Sequence, residues 1–277
     1  MSSDKTSLGR MRMLADFNVS TVCQKSGCPN MSDCLKDLKL TFMILGNVCT
    51  RNCGFCAVEK SSEKILDSDL TESARISQMV KILGLNYLVL TSVTRDDLPD
   101  GGASQYVKTL KLIFATRPQV KAEVLIPDFF GNFESLKSVV EAGPCVVAHN
   151  LETVSRLYKK LRPQADYSRS LELLTRVKQI NPLMPTKSSL LLGLGETEDE
   201  VFELMQDLRM ASCDIFTLGQ YLPPTKMHRQ AKEVITDQQF EKYRHTGMDL
   251  GFKVVLAGAK VKSSYRAERL FKEFINV

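Results

Sequence analysis

From residue 40 onward, short runs of β-branched and other apolar residues alternate with longer stretches whose apolar positions recur every three or four residues. The short runs predict strands at 40–45, 87–93, 121–126, 146–149, 188–192 and 214–218, because period-two or continuous apolar segments of this length fit a buried sheet. The longer stretches predict helices at 72–83, 105–115, 133–142, 168–180 and 198–210. Gly84, Pro118, Gly143 and Pro182 follow these helices as breakers, and Thr71 and Thr197 stand before two of them as N-cap candidates with acidic residues in the next turn.

Strand and helix in strict alternation imply βα units on a parallel sheet. Six strands with five or six helices predict an α/β fold, a partial (β/α)6 TIM-type barrel, more open than the eight-stranded form. Side chains that do chemistry then belong at the C-terminal ends of strands. That rule selects 46–56, 91–102, 127–131, 149–153, 193–197 and 220–225. Beyond the barrel, 236–250 reads as a helix, followed by an extended run that ends in Lys262-Ser263-Ser264-Tyr265. No repeat or low-complexity linker interrupts the pattern. The expected organisation is an N-terminal segment over 1–37, the barrel over 38–231, and a C-terminal helix and tail over 232–277.

Composition narrows the class only a little. With 277 residues, 43% of them hydrophobic and 25% charged, the chain can bury a large single core. Its net charge of +5 is spread without a basic run, which argues against a nucleic-acid partner and reads as a mixed solvated surface. The first ten residues are polar and include Asp4, and no apolar stretch reaches bilayer length. The expectation is a soluble, cytoplasmic protein with no membrane association.

The cysteines change the picture more. Six of the eight fall within 23–56. In a reducing compartment clustered thiols point to metal or redox chemistry. Cys49-Thr-Arg-Asn-Cys53-Gly-Phe-Cys56 has C-x3-C-x2-C spacing in the loop after the first predicted strand. Three thiolates on one loop can hold three irons of a 4Fe-4S cubane and leave the fourth open to the amino and carboxylate groups of S-adenosylmethionine. An electron from the cluster would then cleave the sulfonium to a 5'-deoxyadenosyl radical. Structural zinc is the competing reading, but zinc favours four ligands in paired spacing. Cys23, Cys28 and Cys34 form a second triplet, C-x4-C-x5-C, for which zinc completed by a distant histidine is a competitor. Of the three histidines, His228 and His245 fall in a loop and on a polar helix face, where a solvated role is expected.

These two triplets, in this order and with Ser263-Ser264-Tyr265 near the C-terminus, resemble the lipoyl synthase family of the radical S-adenosylmethionine superfamily. The resemblance runs through Thr91-Ser-Val-Thr-Arg-Asp-Asp97, Pro99-Asp-Gly-Gly102, Pro127-Asp-Phe129, His149-Asn-Leu-Glu-Thr153, Gly193-Leu-Gly-Glu-Thr197, Gly219-Gln-Tyr-Leu222 and Pro224-Thr-Lys226, and so covers essentially the whole chain. It implies two 4Fe-4S clusters, one on Cys49, Cys53 and Cys56, the other on Cys23, Cys28 and Cys34 with Ser264 as fourth ligand. A serine oxygen suits a cluster that is dismantled as the sulfur source, since oxygen is a poorer partner than thiolate for soft iron. It further implies two molecules of S-adenosylmethionine per product, and insertion of sulfur at C6 and C8 of an octanoyl chain. The implied partners are octanoylated carriers (lipoyl domains of 2-oxoacid dehydrogenases, the glycine cleavage H protein), an electron donor such as ferredoxin or flavodoxin, and an iron-sulfur carrier protein. Lys262 stands where the family pattern has arginine, Gly54 where proline is usual, and Gly258-Ala-Lys where Gly-Pro-Leu is common.

For S-adenosylmethionine itself, Thr91, Ser92, Arg95 and Asp96 occupy the post-strand position where such barrels bind the methionyl amino group, against the alternative of ordinary turn residues. Gly193 and Glu196 could let the backbone approach the adenosine, or only cap the next helix. His149 and Asn150 could face the barrel mouth, or serve as structural hydrogen bonders. Cys145 and Cys213 precede strands, at the wrong end for chemistry, and are expected as small core residues. Two other functions remain: a methylthiotransferase acting on RNA, for which no residues are left to build an extra binding domain, and a non-catalytic zinc or iron-sulfur module, which leaves the βα units unexplained.

Overall fold

All six apolar runs predicted as strands pair in one sheet. They are β1 (Thr41–Ile44), β2 (Tyr87–Ser92), β3 (Lys121–Leu125), β4 (Val146–Ala148), β5 (Thr186–Leu192) and β6 (Ile215–Gln220), neighbours in that order and all parallel. This computed structural model describes residues 7–61, 69 and 71–277; the reading of Asp4 falls outside them. Thr41 lies opposite Val89, Thr91 opposite Leu125, and Ser188 opposite Phe216. Parallel strands are covered on both faces, which explains why the runs are nearly continuous in apolar character rather than alternating.

Helices Glu72–Leu83, Ala103–Thr116, Phe133–Glu141, Tyr167–Ile180 and Glu198–Met210 follow β1 to β5 in turn. Their apolar stripes meet Leu88, Leu90, Val124, Leu190, Leu192 and Leu218 in one large core. Full burial of each such side chain contributes roughly 1.5–3 kcal/mol. Gly84 ends the first helix in the left-handed conformation at φ 63°, as its place after the periodic stretch predicts. Thr197 makes a complete capping box with Glu200. Thr71 does not cap: it is itself helical, and Asp69 Oδ1 takes both its N–H, at 2.8 Å, and its hydroxyl, at 2.6 Å. With its backbone already helical, its oxygen accepts instead from the Arg75 side chain.

Both ends of the chain enlarge the sheet. The extended run after helix Asp237–Asp249 forms a seventh parallel strand, β7 (Val254–Gly258), with Gly258 opposite Gly219 of β6. At the other edge Ser20–Thr21 pairs antiparallel with β1. The last helix, Ala267–Ile275, covers the sheet face opposite the other helices: Ala267 packs with Tyr87 and Val89, and Leu270 with Ile215 and Val254. On this face Lys187 Nζ meets Glu123 Oε1 at 2.7 Å, and Tyr87 donates its hydroxyl to Glu123 Oε2 at 2.8 Å. Lys187 and Glu123 are both essentially inaccessible. Losing either partner would strand a buried charge, at a cost of about 3–5 kcal/mol. No helix among the described residues is long and apolar enough to cross a membrane.

Candidate functional site

The loop that leaves β1 begins on two left-handed residues, Leu45 at φ 66° and Gly46 at φ 80°. Glu72, at the start of the first barrel helix, holds this unusual entry: its carboxylate accepts from Leu45 N at 2.9 Å and Gly46 N at 3.2 Å. Cys49 then pairs with Lys60 in a two-residue ladder, Thr50 N donates to Thr94 O at 3.0 Å, and Gly54 N donates to Leu161 O at 2.8 Å. Between the cysteines Arg51 is almost fully buried. It makes a bidentate pair with Asp96, at 2.7 and 3.0 Å, and a third contact of 2.5 Å to Asp128. Burial works against the Asp128 charge, but the Arg51 guanidinium outweighs it and holds the pKa at about 2. The loop is thus bolted to the ends of β2 and β3.

Cys49, Cys53 and Cys56 are free and half-buried. Burial, then Cys53 and Cys49 as neighbouring negative charges, push the Cys56 thiol up to about 11; Cys53 is raised by burial and by Cys49, with Arg162 opposing. A positive charge placed among these thiols would offset the burial that raises Cys53 and Cys56. Three free thiols on one loop match in number and chemistry the three protein ligands that a cubane would take there.

Opposite this loop, at the end of β4, lies a set of residues whose roles the sequence left open. His149 Nδ1 lies 2.8 Å from the Ile126 carbonyl, which can only accept, so the proton is on Nδ1 and the buried Nε2 is a free acceptor without a partner. Glu152, at φ 65°, takes a hydrogen bond from Asn150 Nδ2 at 2.9 Å; burial raises its pKa against the opposing charge of Arg162. Arg162 donates to the Asn150 and Leu151 carbonyls at 3.0 and 2.9 Å, and its charge also reaches Cys53. The strained segment 150–152 is therefore held by the same guanidinium that approaches the cysteine loop.

Burial, reinforced by Arg162, lowers the His149 pKa from 6.5 to about 4. The unfolded imidazole binds a proton near pH 6.5 and the folded one only near pH 4, so this contribution is complete above the first value and is lost as pH falls toward the second. It amounts to roughly 3 kcal/mol. Urea unfolding of the metal-free chain should lose stability over that window, and His149→Asn, which keeps a donor for Ile126, should flatten the slope. Equal slopes for the two proteins would show that His149 titrates normally.

The residues proposed for S-adenosylmethionine all lie at strand ends, but not all present free groups. Thr91 donates to Leu125 O at 3.0 Å, and Ser92 accepts from Tyr106 at 2.9 Å. Arg95 is buried and paired with Asp97, and Asp96 is taken by Arg51. Glu196 turns back on its own loop, accepting from Gly193 N and, at 2.9 Å, Leu194 N. His228 and His245 are outside this region, bonded to Thr225 and beside Glu241. Cys213 is fully buried, and Cys145 packs beside Tyr87 and Glu123.

The second triplet is brought together as well. Cys23 sits on helix Val22–Lys25, Cys34 on helix Met31–Lys36, and Cys28 between them. A hydrogen bond with Cys23, then the Asn30 backbone N–H and the Lys262 charge, lower the Cys28 pKa against burial, while Cys34 is raised by burial and by Cys28. Asn30 Nδ2 donates to Lys260 O at 2.7 Å, and Cys34 and Asn30 share a cavity of about 350 Å³ with Lys260, Tyr265 and Arg266. The C-terminal tail around Ser264 therefore reaches the N-terminal cysteines, and Lys262 lies electrostatically between Cys28 and Glu152.

Comparison with known proteins bears on the family and the fold. The Radical SAM superfamily model matches residues 43–208. Lipoyl synthase of Caldanaerobacter subterraneus subsp. tengcongensis is 52% identical over 94% of this chain and 91% of its own length. The enzyme of Thermus thermophilus is 47% identical over 94% and 81%. Among solved structures, methylornithine synthase gives a TM-score of 0.56 at 15% identity, covering 80% of this chain and 72% of that one. The FeFe-hydrogenase maturase of Carboxydothermus hydrogenoformans gives 0.63 at 13%, covering 85% and 56%. At such low identity these two speak for the fold alone. The two cysteine triplets, the parallel barrel and relatives this similar over nearly their whole length place the chain in the lipoyl synthase family of the radical S-adenosylmethionine superfamily.

Proposed function

We propose that this chain inserts two sulfur atoms, at C6 and C8, into an octanoyl group amide-linked to a lysine of a lipoyl carrier protein. The observation that carries the reading is the pair of separate cysteine triplets, one bolted to the barrel mouth and the other tied by Asn30 to the C-terminal tail. When bound, a 4Fe-4S cluster on Cys49, Cys53 and Cys56 supplies the electron that cleaves S-adenosylmethionine, and a second on Cys23, Cys28, Cys34 and Ser264 supplies sulfide.

The protein's own part is to orient and enclose. Arg51, fixed by Asp96 and Asp128, prevents the cysteine loop from swinging away from β2 and β3. Thr91, Ser92, Arg95, Asp96, Gly193 and Glu196 form the polar ends of strands over which S-adenosylmethionine would lie, and the Ser92 hydroxyl, which accepts from Tyr106, keeps its own proton to donate. Arg162 and Glu152 place opposite charges beside Cys53, and His149 Nε2 waits for a donor. Octanoylated lipoyl domains and the glycine cleavage H protein are the expected substrates, with ferredoxin or flavodoxin as reductant and an iron-sulfur carrier protein to restore the second cluster.

Anaerobic incubation of the reconstituted protein with an octanoyl-lysine peptide, S-adenosylmethionine and reductant should give a product that has gained two sulfurs, with two 5'-deoxyadenosines per peptide. Release of 5'-deoxyadenosine with no sulfur in the peptide would assign the barrel to another radical reaction.

A further inference from the structure

At one point the C-terminal tail lies almost on the backbone of the sheet. A Cβ on Gly219 would sit 1.9 Å from the Val261 carbonyl oxygen and 2.8 Å from its carbon, and both are main-chain atoms. Gly219 is not in the left-handed region, so what this position demands is empty space and not unusual backbone freedom.

Around this contact the tail touches several parts of the molecule within four residues. Lys260 O accepts from Asn30 of the N-terminal cysteine segment at 2.7 Å. Val261 is buried, and its N–H donates to Gly258 O at 3.0 Å. Lys262 Nζ donates to Gln220 O at 2.9 Å, at the end of β6. Ser263 Oγ donates to Asn150 Oδ1 at 2.9 Å, in the strained segment held by Arg162. We infer that Gly219 is a positioning residue, a notch in β6 that seats residues 260–263 across the barrel mouth and thereby sets where Ser264, which lies beside Lys39, Thr41 and Tyr87, stands relative to Cys28 and Cys34. The role of Ser264 rests on the proposed function; the seating rests on the close approach and these hydrogen bonds.

A methyl group at 219 would force the Val261 carbonyl back by roughly 1.5 Å to reach ordinary contact. Hydrogen bonds of 2.7–2.9 Å do not survive such a shift, so the tail would detach as a unit. The alternative, bending β6, is resisted by Gln220, whose side chain is tied to Leu192, Tyr221, Glu233 and Ile235.

The test is Gly219→Ala in the full chain, read by hydrogen exchange with and without reconstituted clusters. Peptides covering 258–266 should exchange at least about tenfold faster, while those covering β2 to β5 stay protected. In the reconstituted protein 5'-deoxyadenosine formation should remain within about threefold of the parent, whereas sulfur insertion should fall by about a hundredfold or more. Ser263→Ala, which leaves the sheet untouched, should shift the same peptides in the same direction by less, and it decides the matter if Gly219→Ala does not fold. Unchanged exchange over 258–266 in the folded variants would overturn the inference, and so would a loosened tail with sulfur insertion intact. A parent protein that adds no sulfur at all would instead remove the proposed function, leaving the exchange result to judge the seating alone.

Discussion

Replacing Cys49, Cys53 and Cys56 together by alanine is expected to abolish cleavage of S-adenosylmethionine while the chain keeps its fold and one of its two clusters. Iron should fall from about eight to about four per chain. Formation of 5'-deoxyadenosine should drop further than the roughly hundredfold that follows loss of a group merely supporting a metal ligand, because the ligands themselves are gone. The fold should survive: the loop is bolted by Arg51 to Asp96 and Asp128 and by Glu72 to the backbone of Leu45 and Gly46, and none of these contacts passes through a sulfur. Circular dichroism, iron analysis and product chromatography on one anaerobic preparation make the comparison. Persistent 5'-deoxyadenosine in the triple variant would move the radical chemistry elsewhere.

The converse substitution, Cys23, Cys28 and Cys34 to alanine, should leave 5'-deoxyadenosine formation within about threefold and eliminate sulfur in the product, since sites without shared ligands behave almost independently. Ser264→Cys is the finer probe. A thiolate in place of the serine oxygen should hold the second cluster more firmly and slow sulfur transfer, whereas Ser264→Ala should lower its iron content. Clusters loaded with isotopically heavy sulfide should give heavy product in a single turnover. Light sulfur in that product would show that the cluster is not the donor, and the argument for a serine ligand would fail with it.

How far the sequence reaches can be judged from particular residues. The βα alternation was readable because buried parallel strands must be apolar almost throughout, so 87–93 and 121–126 stand out whatever they pack against. The cysteine triplets were readable because both lie within a few residues of sequence, and spacing substitutes for geometry. Arg51, Glu152 and Arg162 were not singled out, because their meaning lies in partners distant in sequence: Asp128 is 77 residues from Arg51. Nothing local distinguishes a buried Arg51 from a solvated one. The extended run expected after residue 250 holds only over β7 (Val254–Gly258); the chain turns at 259–260 and again at 263–266, where Tyr265 N donates to Lys262 O, and its pairing with β6 was not legible because strand partners are set by topology. Thr71 misled because Asp69 and Arg75, its neighbours in the fold, engage its hydroxyl and leave none of it for the first turn.

The bond between Asn30 and Lys260 joins positions 230 residues apart. Closing a contact of that span costs more chain entropy than joining Arg51 to Asp96 and Asp128, 45 and 77 residues away. The cavity beside Cys34, walled by Lys260, Tyr265 and Arg266, therefore forms only once the sheet between the two segments has brought them within reach.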